Sequence, residues 1–148
     1  QQNRRTQGNR KIPMNDCLFC RIIRGEIASR IIYETENVVS FLTIQPVNRG
    51  HALVVHRHHH ADIFDTPEAD MAELIVAAKI VAEKVKAATG AEGVNIGMNN
   101  GAVAGQAIFH AHLHVIPRFP NDGFKHWAHR DATPNALALM ADKIRQVK

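Results

Sequence analysis

Histidines recur at positions 110, 112 and 114 in the run Phe109 to Arg118, FHAHLHVIPR, alternating with Ala111, Leu113 and Val115. A two-residue period of this kind puts the three imidazoles on one face of a β-strand and the small or apolar side chains on the other. Imidazole, with an ordinary pKa near 6.5, is the side chain best suited to attack an electrophile or move a proton near neutral pH. The preceding run Asn99 to Gln106, NNGAVAGQ, is a turn of small residues whose backbone N–H groups can approach an anion closely. Histidines therefore face an anion cradle. A competing reading makes His110, His112 and His114 the three ligands of a catalytic metal.

A second group is Cys17-Leu18-Phe19-Cys20, holding the two cysteines of the chain. Three readings stand side by side: a disulfide, disfavoured in a reducing compartment; a redox pair, which would follow a strand in a βαβ unit; or half of a Cys2His2 zinc site. Arg57-His58-His59-His60 adds three more histidines, which on spacing alone read as a solvated loop.

The elements that must position these residues follow from pattern. Arg30 to Thr35 and Val38 to Ile44 read as a hairpin around Glu36-Asn37, and His51 to His56 as a third strand after the loop at Pro46, Asn48 and Gly50. Thr66-Pro67-Glu68 opens the longest helix, with Thr66 as its cap, a core stripe of Met71, Leu74, Ile75, Ala78, Val81, Ala82 and Val85, and Gly90 as its stop. Val94 to Met98 is a fourth strand and the histidine strand a fifth. Thr133-Pro134 starts a last helix, with Leu137, Met140, Ile144 and Val147 expected inward. The expectation is an α+β fold: a five-stranded antiparallel sheet, one main helix and a C-terminal helix.

The chain of 148 residues has room for one domain. Its formal charge is +4, but Arg4, Arg5, Arg10 and Lys11 supply four positive charges within residues 1–15, where no acid occurs, so residues 16–148 sum to zero. That balance argues against a nucleic-acid polymer as partner. Residues 1–15 read as a disordered basic tail and 16–148 as the single domain. No run of 18 or more apolar residues occurs, so a soluble, cytoplasmic protein without membrane attachment is expected.

The stretch Asn99 to Arg118 resembles the signature of the histidine triad (HIT) family, His-φ-His-φ-His-φ-φ with φ apolar, led by an Ala-Gly-Gln turn. The resemblance extends from Cys17 onward and is to the Hint-like bacterial branch. It implies hydrolysis at the α-phosphate of a purine nucleotide conjugate through a covalent nucleotidyl-histidine. In the family the nucleophile is the middle histidine, here His112; His114 contacts phosphate or protonates the leaving group, His110 completes the triad, and His51 assists. Asn99, Gly105, Gln106 and the amide of Ala107 would surround the phosphate oxygens. Phe19, Ile22, Phe41, Ile44 and Leu53 would hold the purine, although each is equally reasonable as plain core.

Thr43 stands where the family often has an Asp that binds both ribose hydroxyls, and Ala107 where it commonly has Ser or Thr. Weaker nucleotide affinity or a slower rate is implied. Many bacterial members hold structural zinc at positions matching Cys17, Cys20, His59 and His110, with His58 and His60 as alternatives to His59. The resemblance requires no catalytic metal. It also implies a homodimer in which the segment after the triad, with His126 and Trp127, reaches an active site; the bland reading of Trp127 is an edge cover. Dinucleoside polyphosphate hydrolysis, or a zinc-stapled nucleotide-binding module with weak catalysis, are the alternatives.

Overall fold

The structure is a computed structural model that describes residues 16–148; the basic tail expected at 1–15 lies outside the described residues. Five strands form one antiparallel sheet: β1 (Ile31–Glu34), β2 (Val38–Leu42), β3 (Ala52–His56), β4 (Gly93–Gly97) and β5 (His112–Arg118), ordered β1-β2-β3-β5-β4. Helix α1 (Leu18–Ile23) precedes them, α2 (Glu68–Thr89) joins β3 to β4, and α3 (Pro134–Arg145) ends the chain. The α+β architecture expected from the sequence is the one found.

Alternation along the strands divides the core in two. Val38, Ala52, Val54, Leu113 and Val115 pack with Leu74, Ala77, Ala78, Val81 and Val85 of α2. Val39, Phe41, Leu53 and Val55 point the other way and pack with Phe19, Cys17 and Cys20 at α1. Because Val55 pairs with His112 and Leu53 with His114 across the β3–β5 ladder, both histidines share the α1 face. The sheet thus has a packing side and a chemical side.

Four expectations need correction. The histidine strand begins at His112, not before His110, because the Ala111 N–H donates to the His60 carbonyl (2.7 Å) instead of joining the sheet. Thr66 does not cap α2: its hydroxyl donates to the Asp62 carbonyl at 2.6 Å, and Pro67 occupies the cap position without a side-chain bond. Ile75 lies about one residue's rotation, ~100°, from the buried Leu74 and is half exposed, facing an apolar groove with Val76 and Ile96 rather than the core. Thr133 does cap α3 by accepting from the Ala136 N–H at 3.1 Å, but Leu137, Met140, Ile144 and Val147 are exposed, not inward. An amphipathic pattern fixes which face is apolar, not that the same chain covers it.

The β2–β3 loop is clamped where it must carry His51. Gly50 has φ of +86°, and a Cβ there would lie 2.8 Å from Thr89 Cγ2 at the end of α2. Gly50→Ala is expected to cost about 1–3 kcal/mol; urea unfolding measures it, and a change under about 0.5 kcal/mol would show the loop to be slack.

Candidate active site and metal centre

The site is built where β5 leaves the 3-10 turn Ala102–Ala104 and the bend that follows it. Gly105, at φ of +93°, closes that turn. The amides of Gly105 and Gln106 donate to the Ala102 and Gly101 carbonyls at 3.0 and 3.1 Å, so they hold the loop's shape rather than stand free for an anion. Gln106 is buried; its Nε2 donates to the carbonyls of Ala61 (2.6 Å) and Ile108 (3.1 Å), and its Oε1 accepts from the Gly101 N–H (2.8 Å). Ala107 is exposed and its amide finds no acceptor among the described residues. Asn99 leans against the turn, 3.5 Å from the Gly105 carbonyl.

The hydrogen bonds fix the ring protons. His112 Nδ1 lies 2.7 Å from the His110 carbonyl. A carbonyl only accepts, so Nδ1 carries the proton and Nε2 keeps its lone pair. The Val47 N–H donates to His51 Nδ1 at 3.0 Å, which leaves the proton of the neutral His51 ring on Nε2. That Nε2 sits 2.9 Å from His114 Nδ1, and it must donate there. The neutral His114 ring in turn carries its proton on Nε2. Burial, with the neighbouring His114 and His112 adding to it, pushes His51 down to about 4, and burial lowers His112 and His114 as well. All three are neutral at pH 7.

His110 does not stand beside them. Its Nε2 donates to the His56 carbonyl at 2.8 Å, and its Nδ1 lies 3.5 Å from both Cys17 Sγ and Cys20 Sγ and 3.2 Å from His59 Nδ1. Cys20 Sγ to His59 Nδ1 is 3.2 Å. Zinc bonds of about 2.0–2.3 Å in a tetrahedron place ligand atoms about 3.3–3.8 Å apart, so the four donors fit such an ion with slight expansion. The His56 carbonyl holds His110 in the tautomer a Nδ1 ligand needs, as outer partners of metal-bound histidines do. Burial, reinforced by Cys17, pushes the Cys20 thiol up to about 11; a bound cation reverses that preference. Histidine 59, rather than 58 or 60, joins the cysteines. The reading of His110, His112 and His114 as three ligands of one metal is overturned, since His110 points to the thiols and His112 Nδ1 is committed to a carbonyl.

The expected purine residues divide. Phe19, Phe41 and Leu53 are buried core, with Phe19 meeting Phe41 edge-on at 5.4 Å and His112 at 5.0 Å. Ile22 and Thr43 are half-buried, and the Thr43 hydroxyl accepts from the Gln45 N–H at 3.2 Å. Ile44, beyond the end of β2, is 95% exposed and is not core. A cleft of about 480 Å³ opens at His51, His114 and Asn99, with Lys125, His126 and Trp127 on its far wall. Trp127 is exposed and borders this cleft, so it does not act as an edge cover.

Sequence reasoning missed the anchor of that wall. Asp122 accepts from Arg118 Nε (2.7 Å) and Nη2 (2.9 Å), from Asn48 Nδ2 (3.0 Å) and from the amides of Phe119 and Phe124. The Arg118 guanidinium holds its carboxyl well below the usual range. Asp122 in the Pro-Asn-Asp-Gly turn was legible as a turn residue, but its link to Asn48 needed the fold.

A model of the HIT domain matches residues 24–121. An uncharacterised HIT-like protein of Methanocaldococcus jannaschii is 44% identical over 107 residues, 72% of this chain and 82% of that protein. Adenylylsulfatase HINT3 of Arabidopsis thaliana is 36% identical over 125 residues, 84% of this chain and 62% of that protein. The crystal structure of a zinc-bound histidine triad family protein from Mycobacterium smegmatis superposes with a TM-score of 0.72 at 34% identity, covering 88% of this chain and 99% of that one. Among the described residues no helix is long and apolar enough to cross a membrane.

Proposed function

The chain belongs to the HIT family, and on that premise we propose that it is a nucleotide hydrolase of the phosphoramidase type, cleaving at the α-phosphate of purine nucleotide conjugates. The observation that carries this reading is His112 held with Nδ1 on the His110 carbonyl, which aims a lone pair from Nε2. The similarity to an adenylylsulfatase supports the α-phosphate as the point of attack.

In the first step His112 Nε2 forms a bond to phosphorus while the bond from phosphorus to the leaving group breaks, the leaving group taking the electron pair. The positive charge that develops on the ring is met by the carbonyl at Nδ1. His114 donates Nε2–H to a phosphate oxygen, alongside the Ala107 amide and Asn99. Because the His51–His114 chain is neutral and its donor end is fixed, it supports the phosphate better than it supplies a proton. Leaving groups that need none, such as sulfate or an already protonated amine, suit it. Water then attacks phosphorus and releases His112 with the nucleoside monophosphate.

The purine lies against Ile22 and Ile44, the two members of the expected set with accessible surface, and Thr43 offers the ribose a single hydroxyl. Cys17, Cys20, His59 and His110 hold structural zinc, which when bound ties α1 to the start of β5; the zinc-bound relative supports this. Two copies associate as a homodimer, for which the exposed Ile75, Val76 and Ile96 offer an apolar surface. A purine nucleoside phosphoramidate assayed beside a dinucleoside polyphosphate tests the reading: faster release of nucleoside monophosphate from the first sustains it, and no turnover of either leaves a nucleotide-binding module.

His51 acts as a positioning residue through His114. His51→Phe removes the N–H that occupies His114 Nδ1 and is expected to lower kcat/KM by about 10- to 100-fold. The acid limb of the pH profile lies below the ordinary imidazole value because burial lowers His112 and His114, and it should stay there in His51→Phe, which keeps the site buried. His51→Gln, which retains a donor, restores part of the rate. A rate in His51→Gln no better than that of His51→Phe would give His51 a purely structural role.

A further inference from the structure

We propose that His56, His58, His60 and Asp70 form a second metal site, distinct from the Cys-His centre, for a divalent first-row ion such as zinc or cobalt(II). The segment from His56 to His60 lies between the two sides of the sheet and sorts its side chains by parity. His59 turns to the cysteines, whereas His56, His58 and His60 turn to the first turns of α2, where Asp70 and Glu73 stand. One donor atom from each of His56, His58, His60 and Asp70 lies within 4.8 Å of the other three.

The distances suit a shared ion better than a set of pairwise bonds. His60 Nε2 is 2.8 Å from Asp70 Oδ2, but His58 Nδ1 is 3.6 Å from the same carboxylate, and His56 Nε2 is 3.6 Å from Asp70 Oδ1 and 3.6 Å from Glu73 Oε1. Those longer separations exceed hydrogen-bond reach, yet ligand atoms about 2.0–2.2 Å from one tetrahedral metal stand roughly 3.3–3.6 Å apart. His56 is 2% exposed, and its Nε2 is a buried polar atom with no hydrogen-bond partner among the described residues. Such an orphan, aimed at two carboxylates, calls for a partner.

Three imidazoles and a carboxylate, with no thiolate, select the borderline ions and not magnesium or calcium. Without an ion, His56 Nδ1 accepts from the His58 N–H at 3.0 Å, so its ring proton is on Nε2. His60 likewise gives its Nε2 proton to Asp70. Binding moves each proton to Nδ1 of the same ring through water, frees Nε2 as ligand, and exchanges the His58 amide bond for a metal bond; the proton count does not change. Glu73, held by Asn37 Nδ2 at 2.8 Å, adds negative charge beside the ion.

Such an ion would brace the backbone that supports the active strand. The His56 carbonyl accepts from His110 and the His60 carbonyl from the Ala111 amide, and the proposed ligands flank both. The inference does not depend on the hydrolase reading.

The purified full chain is titrated with zinc, bound metal is counted by elemental analysis, and cobalt(II) is substituted for its spectrum. Two equivalents per chain are expected, the second giving cobalt d–d bands without added sulfur-to-cobalt charge transfer. His58→Ala, at a ring 70% exposed, and Asp70→Asn should each weaken the second equivalent at least about tenfold and leave the first. Cys17→Ser should lose the first and keep the second. Saturation of the wild type at one equivalent in excess zinc overturns the proposal, as does a second equivalent whose affinity is unchanged in both His58→Ala and Asp70→Asn.

Discussion

His112→Ala is expected to lower turnover of a nucleoside phosphoramidate by about 10⁴-fold or more, as loss of a nucleophile does when a covalent route closes. Binding of nucleoside monophosphate should change by less than about threefold, since the phosphate contacts assigned to His114, Asn99 and the Ala107 amide remain. Wild-type enzyme quenched in acid-free denaturant during turnover should carry a nucleotidyl mass on the peptide containing His112, and the variant should not. The size of the effect follows from the ring's geometry. Neighbouring His114 carries its proton on Nε2 because His51 occupies Nδ1, so it presents a donor where a substitute nucleophile would need a lone pair. A variant retaining more than about a tenth of the rate would mean that water attacks directly and that His112 only positions the phosphate.

The α1 face of β5 was readable because a two-residue period survives translation into strand geometry: His112 and His114 fall on one side, Leu113 and Val115 on the other. His110 was misplaced in the strand for a physical reason. Spacing alone cannot show that the Ala111 N–H bonds to His60 and lifts the chain out of the ladder. Long-range pairings were invisible for the same reason. The Asp122 carboxylate ties Arg118 to Asn48, 74 residues away, and the contact that fixes the His114 tautomer reaches back 63 residues to His51. The parity of residues 56 to 60 is visible in the sequence as His-Arg-His-His-His, but parity carries meaning only once α2 and α1 are known to lie on opposite sides. Helix α3 shows the converse, since Leu137, Met140 and Ile144 have the spacing of a buried stripe and no cover among the described residues.

Loss of zinc from the Cys-His centre is expected to be the largest single change in stability. Cys17 and Cys20 come from the start of α1, His59 from the loop after β3 and His110 from the bend before β5, so an ion bound there would close three separate chain segments at once. Two thiols and two imidazole Nδ1 atoms, with four of their separations at 3.2–3.5 Å and all within 4.8 Å, have weak alternatives without it. Zinc modules gain about 10–16 kcal/mol of apparent binding energy at pH 7; with cores on both sides of the sheet already formed, loss of one thiolate should cost on the order of 5 kcal/mol. For a chain of this size that is a fall in Tm of roughly 10–20 °C. Cys17→Ser and prolonged chelation should both show it by calorimetry. At temperatures below the new transition the chelated enzyme should keep most of its kcat, because His112, His51 and His114 need no metal for the steps assigned to them, whereas a catalytic ion would take kcat away at every temperature. Freshly purified protein holding less than about one zinc per several chains, with an unchanged Tm in Cys17→Ser, would leave the four residues as an ordinary buried cluster.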